Sequence, residues 1–462
     1  MQTVSIAAPA SKSLSHRFLM AAALAGGASR LSHVLESDDT ARTRELFTAL
    51  GARFERIGPG EFSVTGIGGP PRFLSQERSA ASPLSCYVGE SGTTCRLATA
   101  ILAAGLGSFR IHGAGRMHER PLADLAATLT SLGASVRYEG KAGCPPLVID
   151  ARGLDSSALP GEMADVSSDE SSQYLSGLLL AAPLGRGLTL RLIGRKAVSW
   201  PYVSLTLDTL ERFGIAFTVQ TLRGETWDDA DWRTITRAEP YTLRFCIRSG
   251  GYRAGEYAVE GDWSGASYFL AAGAVGPKAV RVSGLNRDSL QADASLIGIL
   301  ERMGARIAWT REEGTRHVTA FPSPLRGIDA DMGHCPDLVP TVAALAAHAR
   351  GRTVIRNAAH LKIKESDRLQ APAEALRKVG CVVAVGSDGL TIDPPGGGPR
   401  APDGSELFSA HNDHRIAMSA SLLGLAGMDG SGGFAVPLDE PSCVAKSFPS
   451  FWRLWEQVRA SK

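Results

Sequence analysis

Residues 360 to 370 read HLKIKESDRLQ, so Lys364, Glu365, Asp367 and Arg368 fall within five positions just ahead of an apolar, helix-like run. Carboxylates suit the positive end of a helix and mixed charges suit any exposed turn, so taken alone the stretch reads as a solvated helix start. The same residue types also suit chemistry. Carboxylates held beside lysines can have separated pKa values, one acting as base and one as acid. Pro372 cannot sit comfortably in a helix interior, which predicts a turn over KESDR and a helix starting near residue 371.

Other segments offer matching groups. SKSLSHR, ESGTTCR, SSDESSQ, PDLVP and NDHR each place small residues, donors and charges at the start of an apolar run. Helix N-termini present free N–H groups and a positive dipole end, which bind phosphate and carboxylate. If such ends face one cleft, the ligand there is multiply anionic, and Lys12, Arg17, Arg96, Arg120, Lys364, Arg368, Arg415 and Lys446 are its counter-charges. Each also has an ordinary reading. Any one Arg or Lys is most often a surface residue. Ser171, Ser172, Gln173 and Asp337 suit helix capping, Gly92 and Thr93 suit a helix start, and His414 is either a hydrogen-bonded core residue or a catalyst.

The elements that must position these groups repeat along the chain. Small polar residues, an Ala/Leu-rich stretch, a Gly and a short β-like run recur six times, with Gly26, Gly107, Gly185, Gly276, Gly351 and Gly427 as markers. A second helix follows in five copies and ends in Gly before another β-like run, as in LFTALGARFE and LERMGARIAW. The sixth copy runs into FPSFWRLWEQVRASK, and residues 2–8 are expected to supply its missing strand. That puts both ends of the sequence in one domain. Helices as poor in charge as RLATAILAAGL are expected to be buried on nearly every face, with the sheets outside. The polar stretch RGETWDDADWRTITRAEP reads as an exposed excursion before a crossover near residues 250–260.

Composition sets the limits. A chain of 462 residues with 44% hydrophobic content predicts two well-packed domains of roughly 200 residues each. The net charge of +2, with both signs interspersed, gives no reason to expect a nucleic-acid or membrane partner. Seven cysteines, odd in number and without a CxxC pair, argue against a disulfide framework and a zinc knuckle, which fits a reducing cytoplasm. No basic region precedes an apolar core at the N-terminus, and no apolar run reaches 18 residues, so neither secretion nor membrane spanning is expected.

In order, KSLSHR, SGTTCR, RMHERPL, SSQYLSGLLLAAP, VSWPYVSLTL, GDWSGASYFLAA, KESDRL, NDHRIAM and CVAKSFPSFW resemble the EPSP synthase branch of the enolpyruvyl transferase family, from Pro9 to Trp452. The resemblance implies an inside-out α/β barrel of two domains, three repeated units in each, with buried helices and outer sheets. Residues 9–257 would form a lobe binding mainly shikimate 3-phosphate. Residues 1–8 and 258–462 would form a lobe holding the catalytic carboxylates and much of the phosphoenolpyruvate site, the two closing over the substrates. By this resemblance Lys12, Ser13, Arg17, Ser171, Ser172, Gln173, Ser199 and Tyr202 hold shikimate 3-phosphate, with Asp337 and Lys364 on its ring hydroxyls. Lys12, Gly92, Arg120, Arg368, Arg415 and Lys446 hold phosphoenolpyruvate, and Gly92 also faces the herbicide glyphosate.

The implied reaction adds a ring hydroxyl to the enol ether carbon and expels phosphate through a tetrahedral intermediate. Asp337 is assigned as base and Glu365 as proton carrier, with Lys12 a rival acid. Neither a metal nor an organic cofactor is required, and a monomer is expected. Glu90 and His360 stand where the family often has Asn. The related transferase acting on UDP-N-acetylglucosamine and a non-catalytic anion-binding repeat protein are the alternatives. KSLSHR, SSQ and KESDRL favour shikimate 3-phosphate.

Overall fold

The computed structural model describes residues 2–73, 82–312, 314–402, 407–428 and 432–459. By contact it divides into two compact units. Lys12–Val259 forms what we call the inserted unit; Met1–Ser11 with Glu260–Lys462 forms the flanking unit. The change of unit comes a few residues later than the 8/9 and 257/258 boundaries expected. Residues 9–11 are tied to the far strand of chain, Ser11 N donating to Glu260 O (2.9 Å) and Asp262 N to Pro9 O (2.7 Å).

Each unit is built from paired helices. In the inserted unit these are α1 (Lys12–Leu24) and α2 (Asp38–Ala49), α3 (Gly92–Ala103) and α4 (Ala123–Ser131), and α5 (Ser172–Ala181) and α6 (Trp200–Arg212). In the flanking unit they are α7 (Trp263–Val275) and α8 (Leu296–Arg302), α9 (Val339–His348) and α10 (Gln370–Lys378), and α11 (His414–Ala420) and α12 (Phe451–Arg459). The odd-numbered helices have almost no charge to keep in water, and they are buried along nearly their whole length. Even-numbered helices bury one stripe. Five of them stop where Gly51, Gly133, Gly214, Gly304 and Gly380 take φ values of 78° to 104°, the left-handed C′ conformation that turns a helix into the following strand.

Outside the helices lie five sheets, three in the inserted unit and two in the flanking one among the described residues. In each, a leading strand runs parallel to the strand after the buried helix, and a hairpin completes the sheet antiparallel. Two leading strands come from unexpected places. Thr3–Ala7 precedes α1 but pairs with Ala279–Ser283, in register Thr3 to Ala279, within the flanking unit. Glu256–Ala258 precedes α7 but pairs with Ala28–Ser32 in the inserted unit. Residues 2–8 therefore complete the fourth copy, not the sixth as expected, because a leading strand belongs with the helix that follows the crossing. The sixth copy keeps an isolated parallel bridge, Phe408 to Leu438.

The polar excursion also departs from expectation. Thr226–Ala230 adds a fifth strand to the third sheet by pairing with Phe217–Arg223. Trp232 then folds back into the core, and the Trp200 Nε1 donates to Ile235 O at 2.7 Å. In the flanking unit Phe451 and Trp455 of α12 pack on Phe269 of α7. Full burial of each such ring stabilises by roughly 1.5–3 kcal/mol. Among the described residues no helix is long and apolar enough to cross a membrane.

Candidate active site

Three segments of the flanking unit meet at Arg368. KESDR is indeed a turn: Asp367 Oδ1 accepts from Leu369 N (2.9 Å) and Gln370 N (3.2 Å), which caps α10 at Gln370 and leaves Pro372 in the first turn, where no N–H is needed. That cap turns the Arg368 side chain inward. Its Nε donates to Asp413 Oδ2 at 2.7 Å, its NH2 to Asp413 Oδ1 at 3.0 Å and to Glu365 Oε2 at 2.9 Å, and its NH1 to Asp337 Oδ1 at 3.0 Å. Asp413 is the N-cap of α11 and holds Arg415 N at 3.0 Å, so Arg415 is aimed back at Asp337, donating to Oδ2 at 2.6 Å. Lys446 lies 3.6 Å from Glu365 Oε1.

These pairs are well shielded. The Arg368 and Asp413 side chains are buried, and those of Arg415, Lys446, Glu365 and Asp337 are mostly so. Burial works against the Arg368 charge, but Asp413, Glu365 and Asp337 more than offset it and raise its pKa further above the ordinary guanidinium value. Lys364, half-buried, ends the 3-10 turn Ala359–Ile363 that holds the buried His360.

In the inserted unit the N-termini of α1, α3, α5 and α6 supply a different set of groups. Lys12 opens α1 and pairs with Asp39 at 3.2 Å. Gly92 opens α3 under the guanidinium of Arg120, so close that a Cβ there would lie 2.5 Å from NH2. Ser171 caps α5 by accepting from Gln173 N at 3.2 Å. Gln173 in turn donates to Thr93 Oγ1 (3.0 Å) and accepts from Arg96 NH1 (3.1 Å). Ser199 caps α6 with φ 55° and ψ 41°, a left-handed conformation that costs a side-chain-bearing residue strain.

Arg17 is 1% exposed, and its guanidinium is committed to protein acceptors. Nε donates to Thr206 Oγ1 at 2.8 Å, NH1 to Ser13 O at 2.9 Å and NH2 to Tyr202 O at 2.9 Å. It ties α1 to α6, and burial pulls its pKa down to about 10.

The sequence-predicted residues thus fall into two groups, each converging within its own unit. Lys12, Ser13, Arg17, Gly92, Arg120, Ser171, Ser172, Gln173, Ser199 and Tyr202 belong to the inserted unit; Asp337, Lys364, Glu365, Arg368, Arg415 and Lys446 belong to the flanking one. Glu90 directs Oε1 at Gly115, filling the space a Cβ would take. Sequence reasoning missed Asp413 and Asp39, the carboxylates that balance Arg368 and Lys12. Asp413 had a signal, an acidic residue directly before HR at a buried helix start; Asp39 looked like any acidic residue in a first turn.

A family model described as EPSP synthase (3-phosphoshikimate 1-carboxyvinyltransferase) matches residues 2–228 and 234–455. The chain is similar to the 3-phosphoshikimate 1-carboxyvinyltransferase of Aeromonas salmonicida, 37% identical over 446 residues, covering 96% of this chain and 93% of that protein. Similarity to the enzyme of the same name from Shewanella denitrificans is 38% over 447 residues, 96% and 94% of the two chains. Its fold is like that of the EPSP synthase of Acinetobacter baumannii, with a TM-score of 0.74 and 26% identity over 99% of this chain and 96% of that one. The Streptomyces tendae enolpyruvyl transferase NikO is alike in fold alone, with a TM-score of 0.69, 19% identity and coverage of 100% and 95%.

Proposed function

The chain belongs to the EPSP synthase (3-phosphoshikimate 1-carboxyvinyltransferase) family, and from that premise we propose how its own residues transfer the enolpyruvyl group of phosphoenolpyruvate to shikimate 3-phosphate. The acceptor is the 5-hydroxyl, and phosphate leaves after a tetrahedral intermediate. Asp337 takes the hydroxyl proton as that oxygen attacks. Glu365 carries the proton to and from the methylene, with Lys12 the rival donor. Lys12, Ser13, Ser171, Ser172, Gln173, Ser199 and Tyr202 hold shikimate 3-phosphate, and Lys364 joins Asp337 on its hydroxyls. Arg17 enters by fixing Ser13 and Tyr202, whose carbonyls it holds. Lys12, Gly92, Arg120, Arg368, Arg415 and Lys446 are the residues assigned to phosphoenolpyruvate.

The observation that carries this reading is the pair of carboxylates, Asp337 and Glu365, hydrogen-bonded to the same guanidinium at 3.0 and 2.9 Å. A shared buried cation holds both in fixed orientation, and a proton arriving on one changes the charge felt by the other. We propose a monomer as the working unit. Seven free cysteines support a reducing compartment, the cytoplasm.

Phosphate release with shikimate 3-phosphate and phosphoenolpyruvate together, and with neither alone, is the expected result. Release with UDP-N-acetylglucosamine as the acceptor instead would overturn the assignment.

A further inference from the structure

Asp293 lies on the 3-10 turn Ala292–Ser295 of the flanking unit and is 1% exposed. Its Oδ2 accepts the hydroxyl of Ser264, in the first turn of α7. Among the described residues its Oδ1 has no hydrogen-bond partner. An ionised carboxylate buried with one oxygen unbonded would be costly. Burial pushes the carboxyl up to about 7; the charge of Asp337 adds to the rise, Arg415 and the Ser264 hydroxyl oppose it, and Asp262 contributes a little more. The groups facing it are therefore Asp262 and Ser264 at the start of α7, Asp337 and Cys335 from the turn ahead of α9, and Arg415 from α11.

Charge balance points the same way. Arg368, Arg415 and Lys446 are matched by Asp337, Glu365 and Asp413. Those pairs set three cations against three carboxylates.

We propose that Asp293 is a positioning residue for the transfer reaction, a carboxyl that keeps its proton beside Asp337 so that Arg415 keeps its hydrogen bond to Asp337. The proposal rests on the reading of Asp337 as base. When Asp293 ionises, a second anion competes for Arg415, Asp337 loses the 2.6 Å contact that orients it, and turnover falls. Asp293 thus sets an alkaline limit on the rate without touching substrate.

The test compares wild type with Asp293→Asn, which keeps the shape of the protonated acid and removes its titration. The wild type is expected to lose about tenfold in kcat as pH rises through neutrality, and the variant to keep its rate over that window with KM for both substrates within about twofold. Superimposable profiles would overturn the proposal. A readout independent of activity separates this idea from the function it rests on. In protein labelled with carboxyl-13C aspartate, the resonance missing from Asp293→Asn, or from Asp293→Ser should the Asn variant not fold, is expected to titrate near neutrality. In Asp337→Asn it should titrate at lower pH. Titration in the ordinary carboxylate range would sink the proposal even in an active enzyme, whereas absence of phosphate release in an enzyme whose Asp293 titrates near neutrality would overturn the proposed function instead. Thermal unfolding adds a sign. Between the ordinary 3.8 and about 7 the folded carboxyl holds a proton the unfolded chain has lost. The wild type therefore loses stability as pH rises through that window, and the Tm of Asp293→Asn should rise relative to it; a pH-independent difference would count against the proposal.

Discussion

The two units solve the same problem, holding buried cations, in opposite ways. In the flanking unit Arg368 and Arg415 are bonded to carboxylates. In the inserted unit Arg17 and Arg96 are bonded to hydroxyls, carbonyls and an amide, while Lys12 pairs with Asp39. Neutral partners leave the cation's charge available to an incoming anion. Carboxylate partners cancel it, and an anion binding there must share the guanidinium with groups able to take a proton. One arrangement suits holding a phosphate; the other suits moving protons.

The sharpest way to break this contrast is to remove one arginine from each unit. Arg368→Met strands Asp413 as a buried, unmatched charge, and we expect a loss of about 3–5 kcal/mol in urea unfolding. Arg17→Met leaves only neutral acceptors behind and should cost about 1–3 kcal/mol. Equal losses would erase the distinction.

Next in size is Asp337→Asn, expected to slow turnover by about 10² or more, as for loss of a general base, while shikimate 3-phosphate still binds in calorimetry. Near-normal turnover would remove Asp337 from the proton path. Gly92→Ala should act through Arg120, since the new methyl must displace that guanidinium; KM for phosphoenolpyruvate is expected to rise several-fold with little change for shikimate 3-phosphate. A rise shared by both substrates would mean that Arg120 is not dedicated to one of them. Smallest is Ser199→Gly, which relieves a left-handed backbone costing about 1 kcal/mol or more and removes a hydroxyl. A higher Tm together with a raised KM for shikimate 3-phosphate would identify the strain as serving binding. An unchanged KM would make it merely local.

The repeats were legible because they are local. An Ala/Leu helix that must be buried and a Gly that must go left-handed leave their marks within a dozen residues, and Gly51 through Gly380 all took the expected conformation. The turn at KESDR was legible for the same reason, through Pro372. What the sequence hid is long-range. Asp413 reaches Arg368 from 45 positions away, and neither its charge nor its cap position says which cation it balances. Residues 2–8 read as a strand, but β-pairing has no local address, so its partner was misassigned by two copies of the repeat. The hairpin arm at Thr226–Ala230 was missed because its polar residues, exposed on an edge strand, look like a loop.

The misplaced strand has a consequence for how the molecule is made. Thr3–Ala7 leaves the ribosome long before its partner, Ala279–Ser283. Until then Ile6 and the strand's open edge are unsatisfied, a state that invites wrong pairings. The inserted unit faces no such wait once Glu256–Ala258 appears, for every strand of its three sheets then lies in one continuous stretch of chain. A chain cut after Val259 therefore retains all it needs to close those sheets. One that begins at Glu260 can never complete the sheet beside α7 unless the strand Thr3–Ala7 is given back, in trans or by joining the sequence's two ends.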